Sequence, residues 1–241
     1  VYLFFVSFYA SYLLSQEQKI EKKIFYILSL AVFAFAFINT QTRGAFLALG
    51  LVVFLALFYL LFKLPGRRSK IILISMLIFL IAAGSALFYF QETEFIQGLP
   101  IARLLTISFS ELTAQTRFWT WGSAWQGFLE RPLLGWGPEN FSWVFDKYFD
   151  TRHFIAINVP TQTWFDRAHS IYFDYLVETG ILGFAAFFSI FVLIFRQIPK
   201  IQFQNVYQKA LVMALPLAYL AQGLVLFDIL PVYINLFLFW A

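Results

Sequence analysis

Two stretches of this chain, Ala45–Phe62 and Ile71–Phe90, run without a single charged side chain. About 20 apolar residues in a helix cross a hydrocarbon core about 30 Å thick. In lipid, every backbone N–H and C=O must be satisfied inside the segment or in a closed barrel. These runs are too long and too evenly apolar for barrel strands, so they predict membrane helices. Further runs occupy Val1–Leu14, Ile24–Ile38, Ile171–Phe195, Tyr207–Phe227 and Leu230–Ala241. Asp174, Glu178 and Lys209 fall only near the starts of their runs. Four to five full or nearly full spans are expected, with a remnant at each end. Both termini lie inside apolar runs, so the sequence reads as a piece of a longer protein cut within membrane helices. No signal peptide is visible, which says nothing about the whole. Charged residues make up 12%, against about 25% in a soluble domain. That excludes a disordered chain and argues against a water-soluble globule. The absence of cysteine excludes disulfides, thiol nucleophiles and thiolate metal sites. Two histidines, His153 and His169, leave little room for an imidazole metal site.

Basic residues in short loops set the orientation. Lys19, Lys22 and Lys23 lie in one loop, Lys63, Arg67, Arg68 and Lys70 in a second, and Arg196, Lys200 and Lys209 in a third. Alternation through the spans puts all three on one side, where ten Lys/Arg meet only Glu17 and Glu21. The opposite side carries seven Lys/Arg and eleven Asp/Glu. The first side is therefore expected to be cytoplasmic. The basic pI reports membrane orientation and is no nucleic-acid footprint.

The expected fold is all-α, a polytopic transmembrane helix bundle forming one membrane domain. Residues 1–90 supply the first group of spans, 91–168 a large outer (periplasmic) loop, and 169–241 the second group. Six of the seven tryptophans fall in that loop. Within it, Phe118, Trp121, Trp125 and Phe128 recur at helical spacing, opposite Thr120, Ser123 and Gln126. Thr113 or Thr116 can cap this helix and Pro132 stops it. The pattern predicts an amphipathic helix lying on the membrane surface. Gly135-Trp136-Gly137-Pro138 then reads as a turn.

Three basic residues on the outer side are candidates for chemistry. Arg43 lies in the turn Asn39–Ala45, between two apolar runs. At that depth an arginine costs desolvation energy unless it meets an anion; the plainer reading is a snorkelling helix-end arginine. Arg117 is expected in the first turn of the surface helix, where a cation opposes the helix dipole unless an anion binds beside it. Stacking on Trp or pairing with Glu111 is the alternative. His169 lies where the loop re-enters the membrane and can act as a base near neutral pH, or serve only as a hydrogen-bonded interfacial histidine. Arginine forks suit phosphate oxygens, and a diphosphate leaving group needs such neutralisation. No Asp-x-Asp pair is present, so a metal-free mechanism without cofactor fits better.

The stretch Ala168-His-Ser-Ile-Tyr-Phe-Asp-Tyr-Leu-Val-Glu-Thr-Gly-Ile-Leu-Gly183 resembles the signature of the O-antigen ligase / O-antigen polymerase superfamily: Ala-His-Asn, a nearby Tyr, then Glu-x-Gly-x-x-Gly. Thr42-Arg43-Gly44-Ala45 is similar to that family's Ser-Arg-Gly turn between two spans. Arg117 through Trp136, with Pro132 and Gly137, is similar to its Arg…Trp…Pro-x-x-Gly-x-Gly segment. Thr42 and Ser170 depart from the usual Ser and Asn. The resemblance implies transfer of a glycan from a polyprenyl-diphosphate donor to a lipid or glycan acceptor hydroxyl, at the outer face of the bacterial cytoplasmic membrane. It implies that Arg43 and Arg117 hold the diphosphate and that His169 deprotonates the acceptor. Tyr172, Glu178 and Ser170 belong to the motif as possible support. Their plainer reading is structural: Tyr172 in the interfacial aromatic belt, Glu178 bonded within the bundle. Gly180 and Gly183 are expected to permit close helix packing. The loop tryptophans stack on sugars or anchor the interface.

Ligases, polymerases and protein-glycosylating relatives share these motifs. A transporter is the alternative from another class, but transporters place ionisable or broken-helix sites near the midplane. Here no ionisable residue lies at the middle of a complete span. The topology is testable on the cysteine-free background. An impermeant thiol reagent added from outside should label a cysteine introduced at Glu94 and miss one at Ser69. The reverse pattern overturns the orientation.

Overall fold

The computed structural model describes residues 2–98, 102, 111–158 and 164–240. Among them there are helices and no strand, as expected. The helices are α1 (Tyr2–Gln16), α2 (Ile20–Asn39), α3 (Arg43–Lys63), α4 (Arg67–Phe90), α5 (Glu94–Gln97), α6 (Leu112–Glu130), α7 (Phe141–Lys147), α8 (Ile171–Gln197), α9 (Val206–Gly223) and α10 (Leu230–Trp240). Short 3-10 segments occupy Thr151–Asn158 and Ile198–Lys200.

Among the described residues, three helical segments are long and apolar enough to cross a membrane: Arg43–Lys63, Arg67–Phe90 and Ile171–Lys200. That is fewer than the four to five expected. Helix α2 spends its first residues on Glu21, Lys22 and Lys23, and α9 carries Gln208, Lys209, Pro216 and Gln222. Large apolar side chains such as Phe35, Phe62 and Phe79 are largely exposed on α2, α3 and α4. Soluble monomers rarely show such continuous apolar surface; helices facing lipid do.

The chain divides into two compact units. The first is built from the described residues of Val1–Ile107, Phe195–Gln222 and Leu230–Ala241. There α1 packs on α2 and α10, and α3 packs on α4. Leu57, Leu60, Leu73, Leu77 and Ala210 form a buried cluster. Its polar ties include the Tyr9 hydroxyl donating to the Asn235 carbonyl (3.1 Å) and Gln208 Nε2 donating to Ser15 Oγ (3.2 Å).

The second unit is built from the described residues of Ser108–Ile194 and Gly223–Ile229. Its core is Ala124, Phe141, Val144, Phe145, Phe165, Ala168 and Val177, with Trp121, Phe128 and Trp136 packed around it. Helix α6 differs from expectation in three ways. It starts at Leu112 with Glu111 at the cap position, so Thr113 and Thr116 lie inside it and cap nothing. Arg117 is therefore in the second turn, beyond the free N–H groups of the helix end. Two of the three polar-face residues also turn inward: Thr120 and Ser123 are buried, with Ser123 Oγ donating to the Tyr148 carbonyl (2.7 Å), while Gln126 stays exposed. Phe118, Trp125 and Leu129 are the exposed apolar face. Gly127 lets α7 approach, since a Cβ there would lie 2.2 Å from Val144 Cγ1.

Helix α8 is broken at Gly180, whose φ/ψ of 64°/−172° is open essentially only to glycine. Such a break frees the carbonyls of Val177 and Glu178 and the amides of Ile181 and Leu182. Segment 132–137 takes all four. Trp136 N–H donates to the Val177 carbonyl (2.9 Å) and Gly137 N–H to that of Glu178 (2.8 Å). Ile181 N–H donates to the Pro132 carbonyl (2.8 Å) and Leu182 N–H to that of Leu133 (3.4 Å). Gly135 (φ +69°) and Gly180 make the approach possible. A Cβ on Gly180 would lie 2.3 Å from the Leu133 oxygen, and one on Gly135 2.5 Å from that of Val177.

Gly180→Ala must adopt a backbone that costs roughly 1–3 kcal/mol and also push back the Leu133 carbonyl. It should lower the thermal midpoint in detergent clearly, and Gly135→Ala should do the same. Gly50→Ala, with nothing within 4 Å of the added methyl, is the control and should leave the midpoint unchanged or slightly higher. Equal midpoints for all three would refute this account of the break.

Candidate active site

The chain reaches α8 through Phe165-Asp-Arg-Ala-His-Ser170, and His169 there has φ +55°. A left-handed backbone on a non-glycine residue costs about 1–3 kcal/mol and persists only where its surroundings over-determine it. The imidazole is half-buried between two rings, Phe165 and Phe227, at centroid distances of 5.2 and 5.0 Å. Nδ1 lies 3.3 Å from the Arg167 carbonyl. A carbonyl only accepts, so the neutral ring carries its proton on Nδ1 and keeps Nε2 as the acceptor. Burial holds the imidazole below its ordinary pKa; the Arg167 carbonyl opposes this in part, the nearby Arg117 charge adds to it, and Asp166 opposes it more weakly. His169 is thus neutral at pH 7, the form a base requires.

Arg117 is half-buried on α6, and desolvation pulls its pKa down. Among the described residues no carboxylate pairs with it; neither Glu111 nor a tryptophan face does so. Its charge is felt at His169. A cation withdrawn from water without a counter-charge is costly.

Arg167 was not singled out as a site residue from the sequence. It joins two carboxylates: Nη2 pairs with Glu139, and Nη1 lies 3.0 Å from Glu178 Oε1. Burial pulls its pKa down, but the pairing with Glu139 and Glu178 carries it above the ordinary value. The sequence signal was Glu178 itself, because an acid at the start of an apolar span demands a cation.

Arg117, Arg167, His169, Ser170, Tyr172 and Glu178 all belong to the second unit. Ser170 is buried and its carbonyl accepts the Asp174 N–H (2.9 Å). Tyr172 stacks on Phe188, centroids 4.9 Å apart. Arg43 belongs to the first unit, as the half-buried opening residue of α3. Two glycines differ from their expected role in helix packing: Gly180 breaks α8, and Gly183 faces the Thr179 side chain of its own helix. Trp136 is also a fold residue: Nε1 donates to the Gly127 carbonyl (2.9 Å), and the Arg131 guanidinium lies over its ring (4.1 Å). Trp125, Trp143 and Trp164 keep exposed surface.

No curated protein and no solved structure gives a significant match to the chain. A protein-family model described as O-antigen ligase matches residues 28–188, a stretch that holds the Arg43 turn, α6, the docked loop and the His169 segment. That match covers well over half of the 241 residues, and the chain belongs to the O-antigen ligase family.

Proposed function

We propose that this membrane protein transfers a glycan from a polyprenyl-diphosphate carrier to an acceptor hydroxyl, at the outer face of the bacterial cytoplasmic membrane. The observation that carries the reading is the half-buried Arg117, without a carboxylate partner among the described residues, acting on a neutral His169. His169 Nε2 takes the hydroxyl proton as the acceptor oxygen attacks the anomeric carbon. The bond from that carbon to the diphosphate oxygen breaks, and its electron pair leaves with the diphosphate. Arg117 and Arg43 offset the charge that develops there. Arg43 enters through its motif turn and its place at the start of α3. An apolar cavity of about 590 Å³ in the first unit, lined by Phe4, Phe8, Phe37, Val52 and Leu215 among others, has the chemistry that an isoprenoid chain takes. No step of this scheme uses a metal.

The test is glycan transfer by the full-length protein from a polyprenyl-linked donor. His169→Ala should insert normally and lose about 10²–10⁴-fold in turnover, the usual worth of a general base. Arg117→Ala should lose roughly 10²–10³-fold, as when one preorganised oxyanion donor is removed. Near-normal turnover in either removes that residue from the mechanism.

Two conditions probe the same scheme. Because burial and Arg117 hold the His169 pKa below 6.5 in the unliganded site, kcat/KM should stay flat from neutral pH down past 6.5 and fall only below it. An acid limb at or above 6.5 contradicts the assignment. EDTA should leave the rate unchanged; strong inhibition reversed by a divalent ion refutes the metal-free scheme.

A further inference from the structure

The peptide groups before His169 are held by side chains from two different helices. Ala168 is fully buried. Its N–H donates to Asp174 Oδ1 at 2.7 Å, and its carbonyl accepts the indole N–H of Trp121 at 2.8 Å. Asp174 lies one turn into α8, buried, with its own N–H on the Ser170 carbonyl. Trp121 comes from α6 and stacks on Phe173 of α8, centroids 5.4 Å apart and planes 22° from parallel. The acceptor and the donor that fix Ala168 are therefore each seated in packed structure. The next residue is the one whose backbone is left-handed.

We propose that Trp121 and Asp174 are positioning residues that clamp Ala168 from both sides, hold His169 in its left-handed turn, and so present Nε2 to the acceptor hydroxyl while Nδ1 stays on the Arg167 carbonyl. Neither touches the reacting atoms. The assignment rests on the transfer reading above for its catalytic meaning, but the clamp itself is a matter of conformation. A buried peptide without these two side chains loses a donor for its carbonyl and an acceptor for its N–H. The turn then relaxes toward right-handed backbone, and the imidazole moves with it. Displacements of about 1 Å are enough to cost around a hundredfold in rate.

Three variants of the full-length protein in nanodiscs separate this role from general stability. Trp121→Phe keeps the ring stack and removes only the N–H. Asp174→Asn keeps a carbonyl oxygen for the Ala168 N–H, and Asp174→Ala removes it. For folded, monodisperse protein, Trp121→Phe and Asp174→Ala should lower kcat roughly ten- to a hundredfold with the donor KM unchanged. Asp174→Asn should restore most of the rate. The second readout needs no substrate. In 15N-histidine spectra, the His169 signals are those missing from His169→Gln. They should report the Nδ1–H tautomer in the parent and in Asp174→Asn, and mixed tautomers in Trp121→Phe and Asp174→Ala. Unchanged tautomer populations in those last two overturn the clamp, whatever the transfer assay gives. Equal loss of rate in Asp174→Asn and Asp174→Ala also overturns it, because the acceptor oxygen is then not what matters. A parent protein that transfers no glycan but passes the tautomer test defeats the transfer reading and leaves the clamp standing.

Discussion

A helix that breaks inside an apolar protein leaves amides and carbonyls that lipid and hydrocarbon side chains cannot satisfy. In α8 the break at Gly180 exposes such groups, and Pro132 to Gly137 supplies the complementary set. The arrangement amounts to a short exchange of backbone hydrogen bonds, with the loop standing in for the missing helical turn. It fixes the depth at which 132–137 sits on α8. It also lets Glu178 reach Arg167, and through Arg167 the loop residue Glu139. The first turns of α8 then form a stub anchored at its far end by backbone bonds and at its near end by the Ala168 and Ser170 contacts.

That anchoring explains why His169 keeps an unfavourable backbone. The left-handed φ is weakly compensated by His169 itself, whose polar contact among the described residues is the 3.3 Å approach to the Arg167 carbonyl. The compensation comes from its neighbours. Ala168 is bonded at both ends, Arg167 is bonded to two acids, and Phe165 is buried in the core of the unit. A residue whose flanks are all committed has its own conformation decided for it. Strain concentrated at one residue of a well-packed segment is the usual mark of a functional position.

The sequence was informative where hydrophobic periodicity and covalent constraint decide the structure. Long apolar runs located α3, α4 and α8, and Pro132 with Gly135 and Gly137 located the turn. It misjudged α6 because the threonines at 113 and 116 look like caps, while Thr120 and Ser123 look like a wet face. Tertiary packing uses those small polar residues to bring α6 close to the 141–150 segment, satisfying Ser123 on a backbone carbonyl. Gly180 and Gly183 look alike in one dimension. Only the backbone angle and the loop carbonyls tell a helix breaker from an ordinary helical glycine. Arg167 was hidden for a related reason: an ion pair eleven residues apart in sequence has no periodic signature. Trp121 entered as one member of an apolar stripe, and its indole N–H acquires meaning only once the Ala168 carbonyl lies within reach.

Arg117 and Arg167 show how the same side chain takes opposite roles in one unit. Arg167 meets two carboxylates, and its charge is spent within the fold. Arg117 is similarly withdrawn from water but meets no carboxylate among the described residues, so its field acts on His169. A repelling cation keeps imidazole neutral, yet it also makes imidazole a weaker base. Under the transfer reading these two effects separate in time. Before the donor arrives, burial keeps His169 unprotonated and ready, with the Arg117 charge adding to it. Once a diphosphate sits against Arg117, the added negative charge cancels that field, and imidazolium becomes easier to form as the acceptor proton moves to Nε2. Donor binding then raises the strength of the base at the stage when the proton must be taken. A lysine-like point charge paired to a resident carboxylate would provide no such change, which is a physical reason for leaving Arg117 without an acid of its own.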